Sequence, residues 1–357
     1  MSTPKFANIK GSNFHQELKR RVNKYFEENR KQSSGNAALY FKAILLFSAY
    51  IAVYIHLVFF TPPGWIAIFE CLLMGALTAA IGFNVMHDGA HGSFSQSKMV
   101  NKLAAFSANI LGASSIMWNI KHNIIHHTYT NIDGVDDDIE IKPLLRMCST
   151  QKKRWIHRFQ HIYVWFLYTL LLLVWLFVSD YTKYFRKKIG DVPIKKLTAY
   201  DHVAFWGAKI GYALGMIVIP IYMVGFLPWL LGFLTMALFS GFVLSIVFQL
   251  AHTVEHTAFP VPAENTNKIE EEWAIHQLQT TANFATNNKV ISWLVGGLNF
   301  QIEHHLFPRI SHIHYPAISK IIRRTCEEFN IRYIEYPRMT QAIASHASYL
   351  KKMGTAD

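Results

Sequence analysis

Thiols and charge are what this chain has least of. Three cysteines, Cys71, Cys148 and Cys326, are scattered through 357 residues with no C-x-x-C pair, which excludes a disulfide framework and a thiolate metal site. Only 16% of the residues are charged against 51% hydrophobic, and the apolar residues lie in runs. That balance excludes an ordinary soluble enzyme and indicates an integral membrane protein. Residues 1–36 are polar with charges of both signs and lack the apolar core and cleavage site of a signal peptide, so membrane entry is expected to rely on an internal span. There is no internal repeat and no low-complexity linker. The net charge of +12 follows the loops instead of forming a nucleic-acid stripe. It suits anionic lipid headgroups or the phosphates of a coenzyme A thioester, and topology alone accounts for it equally well.

Apolar runs cover Tyr40 to Phe60, Trp65 to Val85, Tyr163 to Val178, Val203 to Gly225 (interrupted by Lys209) and Leu227 to Leu250. A span needs about 20 apolar residues, so the first two and last two qualify. Turns containing Pro62 and Pro63, or Pro228, join them into two helical hairpins. The middle run is shorter and reads as interfacial or re-entrant. Lys152, Lys153, Arg154, Lys183, Arg186, Lys187, Lys188, Lys195 and Lys196 flank it on both sides, and the positive-inside rule keeps such residues cytoplasmic.

Histidine is what the chain has in patterned abundance. His87 and His91 in H-D-G-A-H, and His122 and His126 in H-N-I-I-H-H, are pairs four residues apart, which on a helix project from one face. His127 and the adjacent His304 and His305 point in more than one direction, which suits bridging to a second ion. Neutral imidazole is the commonest metal ligand, and a structural zinc needs only four ligands. Seven clustered histidines predict a metal site at the lipid boundary. For one site to form, an even number of crossings must separate His127 from His304, which again makes the run near Tyr163 the one that does not cross. His15, His56, His157, His161, His202, His276 and His346 show no such grouping; His312 and His314 follow the third cluster and are ambiguous.

These residues resemble a known family. H-D-G-A-H, H-N-I-I-H-H-T-Y-T-N and Q-I-E-H-H-L-F-P from Gln301 are similar to the three histidine boxes of the membrane fatty acid desaturases, with similarity from about Tyr40 to about Tyr315 that includes G-V-D-D-D-I-E and G-G-L-N-F. The resemblance implies an all-α integral membrane protein with two transmembrane hairpins, four spans, and a cytoplasmic helical cap. One domain covers 1–357, with 1–38 an N-terminal segment, 39–315 the core and 316–357 a C-terminal helical segment. It implies two iron ions as a diiron centre, with O2 and two electrons removing hydrogens from adjacent methylenes of an acyl-CoA or acyl-lipid chain. His87, His91, His122, His126, His127, His304 and His305 would be ligands, with His252 the ligand expected at the end of the helix before the third box. His256, Asp88, Asp136, Asp137, Asp138 and Glu303 are candidates for ligation or for orienting ligands.

Gln301 stands where many desaturases have histidine, as in front-end desaturases, and is a candidate weak or indirect ligand. An unactivated methylene has neither an acidic proton nor a leaving group, so oxidative metal chemistry is required. Iron, not zinc, follows from the resemblance and the reaction, since imidazole suits several metals. No haem-binding H-P-G-G segment occurs, and about 35 N-terminal residues are too few for a fused cytochrome; a separate ferredoxin or cytochrome-b5-type donor is expected. The alternatives are a related lipid hydroxylase or sphingolipid desaturase sharing nearly every ligand, and a histidine-lined metal or proton transporter, which would string its histidines within the spans. H-D-G-A-H also loosely resembles the zincin H-E-x-x-H, but Asp88 replaces the glutamate and two clusters would go unused.

Overall fold

The computed structural model describes residues 3–7 and 13–356. Four helices are long and apolar enough to cross a membrane: α2 (Ala37–Phe60), α3 (Gly64–His91), α8 (Ala199–Val224) and α9 (Phe226–His252). They form the two expected hairpins. Thr61 in the left-handed region with Pro62 and Pro63 turns the first, and Gly225 at φ +87° followed by Pro228 turns the second. Proline there stops one helix and fits the first turn of the next.

The inner helices are α3 and α9, with 56% and 50% of their apolar windows buried against 22% and 17% for α2 and α8. Small residues let them approach closely. A Cβ on Gly75 would lie 2.6 Å from the Met236 carbonyl oxygen, and one on Gly232 would lie 3.1 Å from Cys71 Sγ. At ~1.5 Å per residue, 28 and 27 residues run about 40 Å, longer than a hydrocarbon core of ~30 Å. The C-terminal turns of both helices therefore extend beyond the apolar layer, side by side.

Two bent pairs lie beside them. Helix α4 (Lys98–Ile110) turns through 111° into α5 (Ser115–Tyr129), and α6 (Trp155–Thr169) turns through 61° into α7 (Leu171–Arg186). The second pair is the run read as non-crossing. The first bend carries Gly112 at φ +90°, where a Cβ would meet Leu176 and Tyr212. Lys209, the one charge in the apolar run of α8 from Val203 to Gly225, pins this bend. Its Nζ donates to the Gly112 carbonyl at 2.7 Å and pairs at 2.7 Å with Asp180, which also accepts from Ser114 N and Trp175 Nε1.

The remaining short helices pack over the C-terminal ends of α3 and α9: α10 (Trp273–Thr280), α11 (Lys289–Leu294), α12 (Gln301–Leu306), α13 (Tyr315–Glu328) and α14 (Met339–Thr355). Helix α1 (Phe14–Glu28) buries Phe14, Leu18 and Val22 against Ile318, Ile322 and Cys326 of α13. Lys5–Phe6 pairs in parallel with Lys268–Ile269, and Asn283–Phe284 with Glu335–Tyr336. Both chain ends thus fold onto the segments that carry the histidines.

Lys209 and Asp180 are 7% and 1% exposed, and removing one partner of a buried ion pair costs about 3–5 kcal/mol. Lys209→Met is expected to lower the thermal unfolding midpoint of detergent-solubilised protein clearly, while Lys152→Met, an exposed loop change, leaves it unmoved.

Candidate metal centre

Four segments converge at the ends of the inner helices. The last turns of α3 carry His87 and His91, after a stretch of wide i→i+5 turns over Gly82–Met86, and the helix stops at Gly92 with φ +73°. Such widened turns recur at functional sites. A second stretch, Asn119–His126, places His122 and His126, with His127 opening the final turn of α5. His252 is the last residue of α9. The short helix α12 presents His304 and His305.

The third box reaches the first through a glycine turn. Gly296 and Gly297 have φ of +59° and +68°, and a Cβ on Gly296 would lie 2.5 Å from the Phe83 carbonyl oxygen. Asn84 donates to the Leu294 carbonyl at 2.9 Å, and Lys42 Nζ donates to Asn84 Oδ1 and the Trp293 carbonyl. The G-G-L-N segment is therefore a brace between α3 and α12.

All eight rings expected as ligands are brought together and buried. His87 and His304 have centroids 4.4 Å apart, His127 and His305 4.3 Å, and His126 and His252 4.7 Å. Coordinating atoms of His87, His91, His122 and His304 lie within 4.8 Å of one another, as do those of His126, His252 and His305, and those of His127, His304 and His305. Nε2 of His122 stands 3.2 Å from that of His87 and 3.3 Å from that of His127.

Five nitrogens in this cluster have no hydrogen-bond partner: Nδ1 of His87 and His127, and Nε2 of His91, His304 and His305. A buried polar atom without a partner costs about 1–3 kcal/mol, so Nε2 of His91, His304 and His305 require something that binds them, while Nδ1 of His87 and His127 lie on the side of each ring away from the Nε2 that meets His122. Divalent ions fit this donor set. Burial holds His304 and His305 well below the usual histidine pKa, which keeps both rings neutral, the form that ligates.

Four outer nitrogens are fixed. His126 Nδ1 faces Asp136 Oδ2 at 3.0 Å and Asp138 Oδ2 at 3.2 Å. His252 Nδ1 donates to the Thr280 carbonyl at 3.2 Å, and His305 Nδ1 faces Gln277 Oε1 at 2.9 Å. His304 Nδ1 lies 3.1 Å from the Tyr315 hydroxyl. Since carboxylates and carbonyls only accept, they set the proton on Nδ1 and leave Nε2 bare toward the centre.

The supporting residues separate in their roles. Asp88 accepts from Ser311 Oγ at 2.7 Å and pairs with His312 Nδ1 at 2.9 Å, tying the first box to the loop after the third. Asp138 groups with His122 and His126, and Asp137 pairs with Lys183 at 2.8 Å. Glu303 turns away from the cluster to Asn283 Nδ2 at 2.7 Å and the Tyr333 hydroxyl at 2.8 Å, and burial pushes its pKa up to about 7. Gln301 is buried at the start of α12. His256 is not brought in. The helix ends at His252, so the expected shared face does not exist, and His256 is exposed in a turn at φ +81°.

Sequence reasoning missed Gln277, Thr280 and Tyr315, which lie outside any histidine box and carried no spacing signal. His312, left ambiguous, is an anchor for Asp88. His276 packs edge-on against Phe6 and His346 bonds Tyr168 and Thr253, so both stay outside the cluster.

An apolar slot abuts the site. It is a small cavity of about 30 Å³ between Phe83, Met86, Leu111, Leu172, Trp175 and Phe248, touching His87 at one side and Thr78 at the other.

The fatty acid desaturase family model matches residues 63–337. The chain is 37% identical over 354 residues to the sn-1 linoleoyl-lipid 6-desaturase of Arthrospira platensis, covering 99% of this chain and 95% of that one. It is 36% identical to the enzyme of the same name from Synechocystis, over 99% and 98% of the two chains. With the acyl-lipid (8-3)-desaturase of Physcomitrium patens it shares 35% identity over 100% of this chain and 75% of that one. With matches of this extent over three histidine boxes that meet in space, the chain belongs to the fatty acid desaturase family and is an oxidoreductase of that class.

Proposed function

We propose that this desaturase inserts a double bond into the acyl chain of a membrane acyl-lipid, on the carboxyl side of an existing one. The observation that carries the reading is the buried cluster of eight histidines with five unpartnered ring nitrogens beside an apolar slot. The acyl-lipid substrate and front-end regiochemistry draw on the names of the relatives and on Gln301. The proposed ligands are His87, His91, His122, His126, His127, His252, His304 and His305, with Gln301 an indirect one. Two iron ions held there would supply, with O2 and two electrons, the oxidising power for an unactivated C–H bond.

The chain's own residues do the rest. Phe83, Met86, Trp175 and Phe248 exclude water and hold successive methylenes in line, so that orientation decides which hydrogens are removed. Thr78 Oγ1 donates back to the Met74 carbonyl at 2.9 Å, leaving the far end of the slot without a free polar group. Asp136, Asp138, Thr280 and Gln277 keep the ligand rings in one tautomer.

The whole chain acts as one multi-pass membrane domain with its site at the cytoplasmic face, a reading supported by the lysines and arginines around 152–154 and 183–196. The electrons come from a separate acidic carrier, a ferredoxin or cytochrome-b5-type protein. A surface depression where five cations, Arg20, Arg21, Lys24, Lys320 and Arg324, outnumber Glu28 and Glu328 suits such a docking. A transporter relay is disfavoured because the rings meet at helix ends instead of being strung along the spans.

Expression in a host lacking polyunsaturated lipids, with acyl chains analysed by mass spectrometry, is expected to give a new double bond; hydroxylated chains would point to the hydroxylase reading. His126→Ala and His304→Ala are each expected to abolish product while membrane insertion, followed by fractionation, is unchanged. Retained activity in either contradicts the assignment.

A further inference from the structure

What stands behind the rings divides seven of the eight into two unequal sets, with His127 between them, grouped with His304 and His305. Behind His126, His252 and His305 each Nδ1 has an acceptor: two carboxylates for His126, a backbone carbonyl for His252 and an amide oxygen for His305. The carboxylates are themselves fixed. Asp136 accepts from Asn131 N at 2.8 Å and Asp138 N at 3.1 Å, and Asp138 pairs with Lys121 at 2.5 Å. Asp137 adds a third carboxylate, shared between Lys121 and Lys183. Three acids facing two lysines leave this side net negative.

The set formed by His87, His91, His122 and His304 is backed less directly: Asp138 stands near His122 as well as His126, but its bond goes to His126 Nδ1. His304 meets a neutral phenol, Tyr315, and His87 Nδ1 has no partner. The nearest oxygen of Asp88 is 4.0 Å from it, beyond hydrogen-bond reach, while the other oxygen is held by Ser311 and His312.

We propose that the two metal positions are unequal: the three-histidine position, anchored through His126 to Asp136 and Asp138, takes up a divalent ion first and holds it more tightly than the four-histidine position. This rests on the dinuclear reading above. A carboxylate behind a ligating imidazole raises the basicity of the ring and fixes its orientation before the ion arrives. The four-histidine position has one ring more, but its rings lack anionic anchors and lose more side-chain freedom when the ion orders them.

The test is an anaerobic titration of cobalt(II) into the metal-stripped full-length protein in phosphatidylcholine nanodiscs, followed by calorimetry and visible absorption. Two sequential steps are expected. Asp136→Asn is expected to weaken the first step by about 10- to 100-fold and leave the second in place; Tyr315→Phe is expected to weaken only the second. If Asp136→Asn lowers the melting temperature of the metal-free protein, Asp138→Asn, whose side chain is half-exposed, tests the same step with a smaller shift. Two indistinguishable steps, or carboxamide variants that weaken the second step instead of the first, overturn the inequality. Uptake of fewer than two ions by the parent protein overturns the dinuclear reading itself.

Discussion

The structure depends on burying eight imidazoles in one place. Each ring removed from water loses hydrogen bonds that the apolar surroundings do not replace. The protein returns some of them from outside, through Asp136, Asp138, Thr280, Gln277 and Tyr315. Toward the centre, Nε2 of His91, His304 and His305 has no partner among the described residues, and Nε2 of His87, His122 and His127 meet only one another. This division gives the centre its chemistry, because a ring with its outer nitrogen protonated and its inner nitrogen bare is a ligand waiting for an ion.

The membrane architecture serves that arrangement. Two inner helices longer than the hydrocarbon core bring His87, His91 and His252 to the same level, and small residues on both let them run close together. Two buried lysines within the spans each hold a bend or a turn near the site. Lys209 and Asp180 fix the turn from α4 into α5, which leads to the second box. Lys42 and Asn84 fix the glycine turn that leads to the third; the Lys42 ammonium lies 4.3 Å above the Trp293 ring as well. These charges are placed where backbone carbonyls have left regular helix and need donors.

Much of this was legible in the sequence because it rests on periodicity and composition. Four spans in two hairpins follow from runs of about 20 apolar residues, and the ligand pairs follow from spacings of four. The bent α4–α5 pair was not legible, since Lys98 and Lys102 and the polar residues of the second box hide its apolar content. Nor were the widened turns before His87 and through His122, which no residue type announces. The shared face expected for His252 and His256 failed because regular helix was extrapolated past its end. Gln277 and Tyr315 became relevant only through tertiary contact. An isolated glutamine and a tyrosine after a histidine pair look ordinary until the chain folds.

The most direct test of the central claim is X-ray absorption at the iron edge, combined with elemental analysis, on protein purified from its expression host without added metal. The account predicts two irons per chain, each with nitrogen-dominated ligation from imidazole. A single ion, or a centre dominated by oxygen or sulfur ligands, would contradict it.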